Sequence, residues 1–198
     1  MSIIIKRIPK NIIKIPLPDT WQETGYSCGA AVLQSILNYY AKGPIGERKV
    51  GCELNMTENG TDPYQIVKVL KKYKLKYKEF RPMTTEQLKK CIDEKKTVMI
   101  MLQAWGWKIK NINKYERSWK HGHWITAIGY DSNNFYFEDP SLNKTRGFIP
   151  IDKLDYRWHD WENQSLTSKR ITTYNYGIAI WGNKIREKGS GLRARMIR

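Results

Sequence analysis

The sequence predicts an α+β fold, with helices gathered in the first half of the chain and a mainly antiparallel sheet in the second. Three observations support this prediction. Apolar residues recur at helical spacing over residues 28–40. Two helix-start sequences follow before residue 90. From residue 97 onward the apolar segments are short, and a polar turn at residues 131–134 joins two of them as a hairpin.

The first helix is predicted to begin near Ser27 or Cys28 and to stop at the breaker pair Gly43-Pro44. Its apolar stripe consists of Ala31, Val32, Leu33, Ile36, Leu37 and Tyr40. A polar, glycine-containing loop region is predicted from there to Gly60.

Two later helices carry start signals of their own. Thr61-Asp62-Pro63 combines a capping side chain with a proline in the first turn, which favours a helix through Tyr73. Thr84 and Gln87 have the spacing of a capping box, which predicts a short helix through Ile92. The predicted strands are residues 75–80, 97–102, 124–130, 135–140, 148–151 and 176–181.

The length of 198 residues favours one domain with a substantial core. We divide the chain into a basic lead-in at residues 1–14, a domain at residues 15–183 and a basic tail at residues 184–198. Within the domain, the helical part covers about residues 15–95 and the sheet part about residues 96–183. The tail has glycine and serine between basic residues, so it is predicted to be flexible, whether it is natural or a remnant of cloning.

The formal net charge of +16 indicates either a solvated basic surface or an anionic partner. Lysines are spread along the chain and do not cluster beside the glycine-aromatic motifs of RNA-binding sheets. We therefore favour a basic surface without a dedicated nucleic-acid site, and an anionic partner stays an alternative.

The sequence shows no apolar run long enough to span a bilayer and no secretory signal peptide. Its three cysteines are an odd number without a CxxC pair, which argues against a disulfide framework. We expect Cys91 on the inward stripe of a helix and Cys52 in a loop, both without a chemical role. A reducing, cytoplasmic location fits these observations best.

Cys28 lies where a turn-forming stretch, residues 22–27, runs into the first predicted helix. Helix N-termini carry partial positive charge and free N–H groups, which favour a thiolate over a thiol. His123 opens one predicted strand and Asp139 closes the next. Neighbouring strands lie about 4.7–4.9 Å apart, so these two side chains can meet. A nucleophile, an acid/base and a group that orients the imidazole are what a thiol hydrolase requires.

Gln22, six positions before Cys28, can offer its side-chain amide to an oxyanion that also faces the Cys28 backbone N–H. Trp105, Trp107 and Trp124 flank the histidine in sequence. These aromatic residues fit the wall of a substrate cleft, because ligand sites are mostly apolar. They fit an ordinary core equally well.

Several of these residues also have structural interpretations. An isolated cysteine is often a small buried hydrophobe, and Asp139 before Pro140 fits a turn. His121 and His123 fit two metal ligands on one strand, but no third ligand has convincing spacing, so no metal or other cofactor is predicted. His159 is an alternative base, although no strand is predicted there beside Asp139.

Taken together, four motifs carry a family resemblance. They are Gln22 six residues before Cys28, Cys28-Gly29-Ala30-Ala31 entering a helix, Gly122-His123-Trp124 opening a strand and Glu138-Asp139-Pro140-Ser141 ending the next. In their order and gaps they resemble the papain-like cysteine peptidases. Within these, the sequence is most similar to the bacteriocin-processing, double-glycine leader peptidases and their stand-alone relatives, over about residues 15–182.

This resemblance implies a helical subdomain packed on a sheet subdomain, with a cleft between them that binds an extended peptide. It also implies that Cys28 is the nucleophile, His123 the general acid/base, Asp139 the imidazole orienter and Gln22 the oxyanion donor. Leader-processing relatives are commonly fused to transporter spans and an ATPase, and this sequence shows neither an apolar span nor a phosphate-binding glycine loop.

We therefore expect a cysteine peptidase that hydrolyses a peptide or related amide bond of a peptide or protein substrate through an acyl-enzyme at Cys28. Two alternatives remain at this point. The same residues serve acyl or peptidyl transfer when an amine replaces water. A peptidase-like binding protein without turnover would use the basic surface for an anionic partner, although it has no need of a thiol beside an imidazole.

Overall fold

A computed structural model describes residues 5–9, 11–43, 45–104, 112–143, 145–164, 169–183 and 193–197. The helices are α1 (Cys28–Tyr39), α2 (Glu47–Leu54), α3 (Pro63–Lys72), α4 (Thr85–Asp93) and α5 (Ile151–Leu154). The strands are β1 (Ile5–Arg7), β2 (Lys76–Phe80), β3 (Thr97–Gln103), β4 (Gly122–Tyr130), β5 (Asn134–Glu138), β6 (Arg146–Pro150), β7 (His159–Gln164), β8 (Lys169–Tyr174), β9 (Gly177–Trp181) and β10 (Arg193–Met196).

Eight strands form one sheet in the order β1-β10-β6-β5-β4-β3-β9-β2. All neighbours in it are antiparallel except β10 and β6. The strands β7 and β8 form a separate antiparallel pair. The predicted α+β class with a mainly antiparallel sheet is confirmed. No helix in the described part of the chain is long and apolar enough to cross a bilayer.

Three predicted helices are present, and local signals explain two of their starts. At α3, Asp62 and Gln65 form a reciprocal capping box with proline at the first position. At α4, the Thr84 side chain accepts from the Gln87 backbone N–H, and the Gln87 side chain returns the interaction. Each box satisfies backbone N–H groups that a helix start otherwise leaves without partners.

The prediction of a polar loop up to Gly60 was wrong, because α2 occupies residues 47–54. This helix buries little apolar surface, chiefly Val50 and Leu54, so its sequence lacks the wide stripe that identified α1. It ends at Asn55, which adopts a left-handed conformation. Cys52 lies on an exposed face of α2 and not in a loop.

Both ends of the chain contribute to the sheet. β1 lies in the predicted lead-in, and β10 lies in the segment predicted to be a flexible tail. β10 is inserted between β1 and β6, where both of its edges are paired. This pairing joins residues far apart in sequence, so the composition of the tail does not reveal it. The edge strand β2 also joins the sheet, although it lies within the predicted helical part, between α3 and α4.

The core lies where α1 packs against the sheet. Ten of the twelve residues of α1 are buried, and all residues of β3 are buried. At the far end of α1, the Tyr40 hydroxyl donates to the Ile180 carbonyl oxygen of β9 at 2.8 Å. The central helix is thus held on the sheet along its whole length, which fixes the position of Cys28 at its start.

A buried arginine holds the segment before Cys28 on the sheet. Arg146 of β6 forms ion pairs with Glu138 and, at 3.0 Å, with Asp19. It also donates to the Leu17 carbonyl oxygen at 2.5 Å. Glu138 in turn accepts from the Thr20 backbone N–H at 2.9 Å. These contacts direct the chain from residue 17 toward the end of β5, where the candidate site lies.

Candidate active site

Cys28 is the first residue of α1 and borders a cavity of about 250 Å³. The turn before it is closed by Ser27, whose hydroxyl accepts from the Thr24 backbone N–H at 3.0 Å. The thiol is only 7% exposed. Cys28 lines the cavity at the N-terminal, partly positive end of a twelve-residue helix.

Gly29 explains how α1 comes so close to β4. A Cβ at this position would lie 3.0 Å from the Thr61 Cβ and 3.2 Å from Trp124 Cδ1. Trp124 is itself fixed, because its indole N–H donates to the Thr61 carbonyl oxygen at 2.9 Å. The small residue after Cys28 thus allows close packing of the helix start against the strand that bears His123.

His123 and Asp139 are paired, as the sequence predicted for the ends of two neighbouring strands. His123 lies in β4 and Asp139 directly follows β5, and both are about 1% exposed. The His123 Nε2 and an Asp139 carboxylate oxygen are 2.7 Å apart. Asp139 also accepts from the backbone N–H and the hydroxyl of Ser141, at 2.9 and 2.7 Å. These bonds fix the carboxylate, which in turn fixes the imidazole plane.

The electrostatics of the site favour a charged His123. Burial lowers the pKa of His123, but the Asp139 carboxylate and the Cys28 side chain raise it by more, to about 10. Burial raises the pKa of Asp139, and the His123 charge together with the Ser141 hydrogen bonds brings it below its ordinary value. At neutral pH the site therefore places an imidazolium between a carboxylate and a thiol.

The cavity brings together residues from several parts of the chain. Its lining consists of Gly25, Tyr26, Cys28, Glu58, Asn59, Gly60, Thr61, Asp62, Met101, Trp119, Lys120, Gly122, His123, Trp124, Asp160, Trp161 and Arg170. Cys28, His123 and Trp124 were predicted for the site from the sequence. Trp105 and Trp107 lie outside the described residues.

Gln22 lies close to this site but does not line the cavity. Its backbone N–H donates to the Pro140 carbonyl oxygen at 3.0 Å, next to Asp139. Its side-chain amide donates to the Thr24 carbonyl oxygen at 2.7 Å. An amide nitrogen carries two hydrogens, so one donor remains. The oxyanion role of Gln22 stays a prediction.

Trp119, one of the aromatic residues near His123 whose pattern fits a cleft wall, lines the cavity, and so does Asp160, which the sequence analysis missed. The Trp119 ring centroid lies 4.9 Å from that of Trp161 and 4.5 Å from that of His159. Asp160 packs on Gly122, where a Cβ would lie 2.1 Å from its Oδ2. Burial raises the pKa of Asp160 to about 6, although hydrogen bonds from Trp161 and Gln103 oppose the shift. For Asp160, the only signal in the sequence was Gly122, the glycine before His123, on which its side chain packs.

His159 has a structural role. It lies on β7, which pairs with β8 in a separate two-stranded sheet, so the expectation that no strand forms there beside Asp139 is confirmed. Its Nε2 lies 2.9 Å from the Ser118 carbonyl oxygen, which can only accept, so this nitrogen carries the proton. Among the described residues, no group of three His, Cys, Asp or Glu side chains is placed to hold a metal ion.

A family model described as the Peptidase_C39-like family matches residues 12–169. The chain belongs to this family. The comparison with curated protein sequences finds no match. The fold is similar to that of a C39-like peptidase from Bacillus anthracis, with a TM-score of 0.64 and 16% identity over 87% of this chain and 98% of that one.

Two further solved members of this fold are similar to the chain. One is a double-glycine-motif protease from an AMS/PCAT transporter in complex with the leader peptide, with a TM-score of 0.55 and 19% identity over 94% of this chain and 100% of that one. The other is the peptidase domain of Streptococcus ComA, a bifunctional ABC transporter of a quorum-sensing pathway. Its TM-score is 0.58, with 15% identity over 83% of this chain and 97% of that one. The predicted papain-like fold and family resemblance are confirmed.

Proposed function

We propose that this C39-like protein is a cysteine peptidase that uses Cys28 as its nucleophile. One observation carries the proposal: Cys28 and His123 border the same cavity, and the buried Asp139 carboxylate pairs with that histidine. Burying an imidazolium costs free energy unless groups that stabilise its charge lie beside it. Here these groups are the Asp139 carboxylate and the Cys28 side chain. Such an arrangement places an acid/base and its orienting carboxylate beside the Cys28 sulfur, as nucleophilic catalysis by a cysteine requires.

The reaction follows from the positions of these groups. The Cys28 sulfur attacks the substrate carbonyl carbon and forms a tetrahedral oxyanion. His123 gives its proton to the leaving amine as the C–N bond breaks, which leaves an acyl-enzyme and a neutral imidazole. His123 then takes a proton from water, the resulting hydroxide attacks the acyl carbon, and the thiolate is released with the carboxylic acid. Asp139 keeps the imidazole in the tautomer that these steps require.

The oxyanion of the tetrahedral intermediate needs hydrogen-bond donors that point at its oxygen. The Cys28 backbone N–H lies at the start of α1, where helix N–H groups have no partner within the helix. We propose the remaining N–H of the Gln22 amide as the second donor. Removing one such donor typically lowers turnover by about 10²- to 10³-fold.

Selective alkylation tests the proposal without knowledge of the substrate. Iodoacetamide at pH 6 is expected to label Cys28 much faster than Cys52 or Cys91, because the neighbouring His123 imidazolium stabilises the negative charge on a reacting sulfur. Cys52 is exposed, so it reports the rate of an accessible thiol without such a partner. Mass spectrometry of tryptic peptides gives the three rates.

The Asp139→Asn variant provides the second arm of this experiment. It is nearly isosteric, but it removes the charge that holds His123 protonated, so labelling of Cys28 at pH 6 is expected to slow. Equal, slow labelling of all three cysteines in the unmodified protein would contradict the proposal and favour a binding protein without turnover.

A further inference from the structure

The Asp160 carboxylate presents one oxygen to the cavity beside His123. Its Oδ1 accepts from the Gln103 side-chain amide at 3.0 Å and from the Trp161 backbone N–H at 2.8 Å. In the part of the chain that the structure describes, Oδ2 accepts no hydrogen bond. It lies over Gly122, at the place that a side chain there would fill. One oxygen is therefore anchored by the protein, and the other is available to a ligand.

The position of Asp160 identifies the part of a substrate that it meets. During acylation, the leaving amine must lie beside His123 to receive its proton. Asp160 packs on Gly122, the residue directly before His123, and both Asp160 and His123 line the cavity. A group just beyond the scissile bond, on the leaving-amine side, is thus the part of a bound peptide nearest to this carboxylate.

The wall around Asp160 already holds a cation. The Arg170 guanidinium lies over the Trp161 ring, 4.9 Å from its centroid. Arg170 and Lys120 also line the cavity, but both are exposed, whereas Asp160 is partly buried. Water screens exposed charges more strongly than partly buried ones. Asp160 is therefore the least screened of these three cavity charges, and Arg170 shows that a cation can lie against the Trp161 ring.

We propose that Asp160 is a specificity-determining residue that binds a cationic group, a lysine or arginine side chain or a free ammonium, on the leaving-amine side of the scissile bond. The inference rests on the proposed function, because it assigns a substrate class to the same cavity.

A pair of thiol reagents tests the local charge at Cys28 without a substrate. Wild-type protein is treated with the cationic 2-(trimethylammonium)ethyl methanethiosulfonate and with the neutral methyl methanethiosulfonate. The measured quantity is the ratio of the two rates at Cys28, with the exposed Cys52 as the reference for the reagents themselves. In Asp160→Asn this ratio is expected to fall by about five-fold, because one negative charge in the cavity that Cys28 borders is lost.

Glu58→Gln is the matched control, since Glu58 also lines the cavity but is exposed. Its ratio is expected to change less than two-fold. An unchanged ratio in Asp160→Asn would overturn the inference. So would an equal fall in both variants, because that result would indicate a general field of the surface instead of a specific contact.

Peptide cleavage tests the substrate class directly. Bonds cut in a mixture of synthetic peptides are identified by mass spectrometry, and quenched fluorescent peptides are then made with either lysine or norleucine just after the cut. Wild-type protein is expected to prefer lysine in kcat/KM by about ten-fold, and Asp160→Asn is expected to lose this preference. If wild-type protein cleaves the lysine and norleucine peptides with equal kcat/KM, the inference is overturned and the proposed function stays intact. Absence of all cleavage, with slow alkylation of Cys28, would instead overturn the proposed function.

Discussion

The His123→Ala variant is expected to lose peptide turnover by on the order of 10⁶-fold, the loss typical of removing the acid/base from a nucleophile–histidine pair. Two effects act together. The leaving amine no longer receives a proton, and the sulfur loses the imidazolium that supports its thiolate form. Cleavage of the peptides selected above, followed by mass spectrometry of the products, measures the loss.

His121→Ala is the control for this variant. His121 lies two residues away and is exposed, so its removal tests whether any histidine at the start of β4 matters. We expect its turnover to stay within two-fold of wild type. Turnover by His123→Ala within ten-fold of wild type would show that another group provides the proton, and it would contradict the assignment.

The Arg146→Met variant is expected to lower the free energy of unfolding by about 3–5 kcal/mol. Arg146 and Glu138 are buried, with side chains 1% and 2% exposed. Removing the arginine leaves the Glu138 carboxylate in the interior without its counter-charge. It also releases the Leu17 carbonyl oxygen and Asp19. Urea unfolding followed by circular dichroism measures the change.

Two further variants separate the buried charge from other effects. The double variant Arg146→Met with Glu138→Gln is expected to be more stable than Arg146→Met alone, because no unpaired charge remains. Arg48→Met removes a surface ion pair with Glu23, in which Arg48 is 90% exposed, and it is expected to cost less than about 1 kcal/mol. A loss below 1 kcal/mol in Arg146→Met would contradict the view that this cluster holds the segment before Cys28.

Local signals allowed the prediction of most elements that surround the site. The capping boxes at Asp62 and Thr84 involve residues three positions apart, so the sequence alone specifies them. The hairpin of β4 and β5 depends on a short polar turn, in which Asp131 accepts from the backbone N–H groups of Asn133 and Asn134. For the same reason the pairing of His123 with Asp139 could be predicted, because both lie at one end of this hairpin.

The features that were missed depend on contacts between distant segments. Within the described residues, the strands β7 and β8 pair with each other and with no other strand, and Asp62 anchors them to the start of α3 through Asn163, 101 positions away. Asp160 enters the cavity on this strand pair. Its only trace in the sequence is the glycine at position 122, and a glycine in a strand does not name the side chain that packs on it.

The protonation state of His123 tests the central claim most directly. In a ¹⁵N-detected NMR titration of imidazole resonances, wild-type His123 is predicted to remain an imidazolium at pH 8, since its neighbours raise its pKa to about 10. His159 is the internal reference, because burial lowers its pKa and keeps it neutral at the same pH. A His123 ring that has already lost its proton at pH 7 would contradict the account, because no imidazolium would then stand beside Cys28.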